Sequence, residues 1–96
     1  GPWIETQLNK PDNCPIRSRL NGTVMQDSNT SDLIFDTRQL FSYLSKNFTL
    51  YPGTVIMTGT PEGVGFARKP AVFLKSGDII EIEIEGIGTL RNHVIR

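Results

Sequence analysis

From Ile80 to Glu85 the chain alternates isoleucine and glutamate three times over. A period of two sends successive side chains to opposite faces of a strand, so Ile80, Ile82 and Ile84 are expected to face a core and Glu81, Glu83 and Glu85 to face away. "GIG" at 86–88 then turns the chain into a last strand, Thr89 to Val94. A second alternating pair, Ile16 to Leu20 and Thr23 to Gln26, flanks Asn21-Gly22, a dipeptide that accepts positive φ at both central positions of a type I′ hairpin turn. The almost continuously apolar run Thr54 to Thr58 reads as a short strand buried on both faces. Pro52-Gly53 in front of it suits the centre of a type II turn. "LKSGDIIEI" repeats that arrangement 24 residues on, which reads as a turn feeding a strand rather than as a repeat architecture.

Between the β patterns lies "LIFDTRQLFSYLSKNF". Asp36 with Gln39 three residues later has the form of a capping box, and Leu40, Phe41, Leu44 and Phe48 fall along one face. The spacing predicts one helix, from about Thr37 to Lys46. The fold class is therefore mostly β with one helix (α+β).

At 96 residues there is room for one small domain with a modest core. Ten basic and ten acidic side chains cancel, and neither sign forms a run longer than two, which argues against nucleic acid or an anionic membrane as partner. No stretch approaches the roughly 20 apolar residues of a membrane helix. A single cysteine, Cys14, has no internal disulfide partner and reads as a small structural side chain in a cytoplasmic protein.

Few stretches carry candidate chemistry. "TGTPEGVG", Thr58 to Gly65, fits neither a Walker loop nor a dinucleotide fingerprint, because its spacing is G-x-x-x-G-x-G and no helical period follows. Two readings remain: a tight turn, or a strand end whose exposed N–H groups and threonine hydroxyls receive a carboxylate. Glu81 and Glu83 share a strand face as a metal pair could, but their regular alternation reads as a solvated face. His93 lacks any accompanying nucleophile motif. The polar stretch Asn29 to Asp32 can bond its own backbone and so order the entry to the helix.

Taken together, "GPWI", "NGTVMQDSNTSDLIF" and "YLSKNFTLYPGTVIMTGTPEGVGFARKPAVFLKSGDIIEIEIEGIGTLRN" resemble the fumarylacetoacetate hydrolase family, and within it the bacterial 2-hydroxyhepta-2,4-diene-1,7-dioate isomerase and acylpyruvate hydrolase branch. The resemblance implies part of a mixed β-roll and a Mg²⁺- or Mn²⁺-dependent hydrolase or isomerase of small 2-oxo or 2-hydroxy-dienoic acids, with a homodimer as the expected assembly. It implies that residues 1–96 are the C-terminal portion of a catalytic domain, the Glu-x-Glu, Asp and Lys of the metal centre preceding "GPWI". No metal ligand and no catalytic residue then falls in this chain, which would need the missing N-terminal half to act. Thr60 carries over as the contact to the substrate's carboxylate end, with Gly59 allowing close approach. Oxaloacetate decarboxylation is the sibling chemistry, and a non-catalytic β scaffold or subunit-contact domain is the reading from another class.

Overall fold

The computed structural model describes residues 3–96; Gly1 and Pro2, which begin the "GPWI" stretch, lie outside the described residues. Strands β1 (Pro15–Leu20), β2 (Thr23–Asn29), β3 (Ile79–Ile84) and β4 (Gly88–His93) form one antiparallel sheet in the order β2-β1-β3-β4. Helix α1 (Thr37–Asn47) and two short 3-10 turns, Thr30–Asp32 and Gly65–Ala67, complete the regular structure. The chain is mostly β with one helix, as the patterning predicts.

Local chemistry explains each junction. Asn21 and Gly22 both take positive φ, 51° and 81°, as a type I′ turn requires. Asp36 caps α1 by accepting from the Gln39 N–H at 2.7 Å while the Gln39 side chain accepts from the Asp36 N–H at 3.0 Å. Asp12, which the sequence does not flag, adds a second cap: its carboxylate accepts from Thr37 N and Thr37 Oγ1 at 3.0 and 2.8 Å. Gly53 (φ 87°) and Gly77 (φ 95°) close matching turns, with Thr54 N donating to Tyr51 O and Asp78 N to Lys75 O, both at 3.0 Å.

The two faces of the sheet differ as the alternation of β3 demands. Ile80, Ile82 and Ile84 stand opposite Leu20, Ser18 and Ile16. The reverse face carries ion pairs between Arg17 and Asp27 (2.9 Å), Arg19 and Glu83 (2.6 Å), and Arg91 and Glu81 (3.6 Å). Glu81 and Glu83 are thus neither a metal pair nor simply solvated; each answers an arginine on a neighbouring strand. The Asp27 hydrogen bond holds the Arg17 guanidinium above its usual range.

Two expectations need correcting. Thr54 to Thr58 is not a strand: it has no ladder partner among the described residues, and Val55 and Met57 are 84% and 95% exposed. Its apolar sequence suits a strand covered on both faces, but no layer among the described residues covers either face. β2 runs on to Asn29, beyond the expected Gln26, because a strand at the sheet edge tolerates the polar "DSN" on its open side. The isoleucine face is also thinly covered. Ile82 is 42% exposed, and among the described residues only Cys14 and Ser18 are buried. No helix among them is long and apolar enough to cross a membrane.

Candidate functional site

β2 is an edge strand with a defect in it. Its register against β1 shifts between Ser18 and Arg19, which pair with Gln26 and Val24, so Met25 is an extra residue in a β-bulge. The Met25 carbonyl is thereby freed from the ladder. Arg68 uses it: one guanidinium nitrogen donates to Met25 O while Nε donates to Gly63 O at 3.0 Å. Gly63 itself has φ 95°, and a Cβ there would lie 2.5 Å from Met25 O, so only glycine lets the loop approach the bulge this closely.

One residue after the bulge, the Gln26 side chain makes the second attachment. Its Nε2 donates to Thr60 Oγ1 at 2.9 Å and to Pro61 O at 2.8 Å, and Ser18 Oγ donates to its Oε1 at 3.1 Å. Ser18 is 8% exposed, so this chain of bonds runs from the buried side of the sheet to the loop. The glycine-rich loop is therefore stapled to β2 at two points, Thr60-Pro61 and Gly63.

Across from it, the end of β2 runs into the Thr30–Asp32 turn. Asn29 Oδ1 accepts from Ser31 N at 2.9 Å, and Asp32 Oδ2 accepts from Ser28 Oγ at 2.7 Å and Asn29 N at 3.4 Å. Thr30 Oγ1 donates to Pro11 O and accepts from the N–H of Cys14, both at 2.8 Å. The polar stretch orders the entry to α1, as its side chains suggest, and anchors the incoming N-terminal segment besides.

Loop and turn enclose an open cleft of about 610 Å³, within the ordinary range for small-molecule sites. Gly59 and Thr60 of the loop, Asn29 and Asp32 of the turn, and the apolar Phe35 and Leu40 all line it. At Gly59 (φ 102°) a Cβ would meet nothing within 4 Å, so its backbone faces open space. The lining includes Asp27, Asp32 and Glu62 and neither lysine nor arginine, with the Asp27 carboxylate itself turned to Arg17 on the reverse face. His93 lies elsewhere, at the end of β4, and free Cys14 is buried with its thiol donating to Lys10 O at 3.3 Å. No group of three or more His, Cys, Asp or Glu side chains among the described residues could hold a metal ion.

What this loop belongs to is decided by comparison. The sequence pattern of the fumarylacetoacetate (FAA) hydrolase C-terminal family matches residues 1–95. The chain belongs to the fumarylacetoacetate hydrolase family. It is 56% identical over 85 residues to fumarylacetoacetate hydrolase domain-containing protein 2 homolog of Dictyostelium discoideum, covering 88% of this chain and 28% of that one. To oxaloacetate tautomerase FAHD2A, mitochondrial, of Bos taurus it is 48% identical, covering 99% of this chain and 31% of the other. Among solved structures of the family, 5-carboxymethyl-2-hydroxymuconate delta-isomerase from Mycobacterium smegmatis superposes with a TM-score of 0.85 at 47% identity, covering all of this chain and 35% of that one. Maleylpyruvate hydrolase from Sphingobium sp. SYK-6, in complex with manganese (II) ion and pyruvate, gives 0.87 at 36% identity, covering 99% and 34%. The chain spans about a third of the length of the family members it matches.

Sequence reasoning singles out Gly59 and Thr60, and the structure sets both on the cleft wall. It misses Gln26 and Arg68. Gln26 reads as the last residue of an alternating run, and nothing in "MQD" announces a bulge. Arg68 follows Gly63 by five residues, with no motif to mark it.

Proposed function

We propose that this chain forms the carboxylate-receiving wall of a fumarylacetoacetate-hydrolase-family enzyme that hydrolyses or isomerises small 2-oxo or 2-hydroxy-dienoic acids. The observation that carries the reading is Thr60, whose hydroxyl stands on the wall of a ligand-sized cleft, next to a glycine with open space over its backbone. In this role Thr60 Oγ donates a hydrogen bond to a ligand carboxylate, and Gly59 lets that carboxylate approach the backbone. Phe35 and Leu40 pack against the ligand's carbon skeleton and exclude water from it.

The family resemblance brings Mg²⁺ or Mn²⁺ with it, and the described residues offer no donor set that fits such an ion. We assign this chain binding and orientation, and, as the family resemblance implies, the Glu-x-Glu, Asp and Lys of the metal centre to the preceding part of the longer protein. The charge of the cleft supports that division of labour. With Asp32 and Glu62 on its lining and Asp27 paired with Arg17 behind it, an anionic ligand needs cationic groups from outside the cleft, and those are the part of the site we place in the remainder of a longer protein.

The test is an assay of the full-length protein on acylpyruvates with Mg²⁺ or Mn²⁺ and then with EDTA. The reading expects metal-dependent turnover, and equal rates in both conditions would refute it. A second substrate belongs in the same assay: the similarity to an oxaloacetate tautomerase at 48% identity favours oxaloacetate, a 2-oxo acid whose carboxylate would call on the same Thr60 contact. Turnover of neither would leave the scaffold reading standing.

A further inference from the structure

We infer that Gln26 is a positioning residue that fixes the polarity of the Thr60 hydroxyl, making it a hydrogen-bond donor toward the cleft and thereby selecting ligands with an acceptor, such as a carboxylate, at that point. The inference rests on the proposed role of Thr60 and adds to it the reason this threonine discriminates.

The orientation of the Gln26 amide follows from its three partners. Pro61 O can only accept, so the atom 2.8 Å from it is the NH₂ group, and the Ser18 hydroxyl meets the amide oxygen as donor. Both hydrogens of the NH₂ are then committed, one to Pro61 O and one to Thr60 Oγ1. A flipped amide would set its oxygen against the Pro61 carbonyl, two acceptors facing each other, and leave that carbonyl without a donor. Because Thr60 Oγ1 receives a hydrogen from Gln26, its own hydrogen points elsewhere, and the open side is the cleft. The direction of donation thus runs from Ser18, and from the NH₂ of Gln26, outward to Thr60 and onward to the ligand. A threonine without this neighbour donates or accepts at will; here one of the two choices is already taken.

Gln26 also helps hold the loop, and a purely structural role must be told apart from positioning. Arg68 makes that possible, since its bonds to Gly63 O and Met25 O secure the loop independently of Gln26. The experiment is a calorimetric titration of pyruvate into the full-length protein with Mn²⁺ present. It compares the wild type with Gln26→Leu, Gln26→Glu, Thr60→Val and the Gln26→Leu/Thr60→Val pair, with melting temperatures measured alongside.

The expected result is a loss of about tenfold in affinity for Gln26→Leu and for Thr60→Val, and no further loss in the pair, because both remove one donor. Gln26→Glu is expected to lose at least as much, because the introduced carboxylate draws the Thr60 hydrogen inward, away from the ligand. In steady state the Gln26 loss should fall on KM rather than on kcat. Wild-type affinity in a folded Gln26→Leu or Gln26→Glu, or fully additive losses in the pair, overturns the inference while leaving the role of Thr60 intact. Wild-type affinity in Thr60→Val overturns both. If Gln26→Leu fails to fold, Ser18→Ala substitutes for it: it keeps Gln26 and loosens the amide, with a loss of about threefold expected and none counting against the inference.

Discussion

Thr60 is legible in the sequence, but only through its company. By spacing alone "TGTPEGVG" is a turn or an anion loop, and the longer match to a family singles out the threonine. What no pattern reveals is that its hydroxyl is already spoken for on one side by Gln26, 34 residues away in the chain. Contacts of that separation depend on a bulge at Met25, and a bulge is one residue of register with no composition of its own. Gly63 offers a test at this scale. Gly63→Ala places a Cβ 2.5 Å from Met25 O at φ 95°, so the loop must lift from β2. The expected cost is about 1–2 kcal/mol from the left-handed backbone alone, more with the clash, read as a lower melting temperature and a weaker ligand affinity. Gly59→Ala meets no atom of this chain, so its cost should be confined to the backbone term.

At the scale of elements, the hairpin, the helix and the two C-terminal strands were readable because each has a local cause: Asn21-Gly22, the Asp36–Gln39 box and the Ile-Glu alternation. Thr54 to Thr58 departs from its pattern because a β pattern specifies what a segment could pair with, and no partner strand stands beside it among the described residues. A junction between elements carries its own pH dependence. Asp78 accepts from Asn21 Nδ2 at 2.9 Å and from the Lys75 N–H at 2.8 Å, and Asn21 Oδ1 in turn accepts from Ile79 N at 2.8 Å, tying the first hairpin's turn to the start of β3. The Asn21 bond, then the Lys75 N–H, hold the Asp78 carboxyl below the usual carboxylate range. A depressed pKa means stability that is present above the unfolded value, about 3.9, and is lost as pH falls through the folded one. In the full-length protein the melting temperature of the wild type should exceed that of Asp78→Asn at pH 6 and converge with it in acid below pH 4. A constant gap down to strong acid would show that the carboxylate is not the source.

At the scale of the whole molecule, the numbers describe a surface still to be covered. A compact protein of 10.7 kDa exposes about 5,500 Å², whereas this chain exposes 7881 Å². Its radius of gyration, 15.4 Å, likewise exceeds the roughly 12.5 Å of a compact domain of this length. Phe41, Phe48, Tyr51, Val55 and Met57 lie on that surge of apolar surface, all more than half exposed. The 96-residue chain by itself should therefore associate with rising concentration, or unfold in urea without a sharp transition, by sedimentation and by circular dichroism. A monomer at every concentration with a cooperative transition would contradict this.

The central claim, that Thr60 receives a carboxylate, is tested most directly by one comparison in the full-length protein: kcat/KM for an acylpyruvate against its methyl ester, in the wild type and in Thr60→Ala. Thr60→Ala should lose about 1–3 kcal/mol of transition-state binding, roughly fivefold to somewhat over a hundredfold, on the free acid and distinctly less on the ester. Equal losses on acid and ester, or none on the acid, would contradict it.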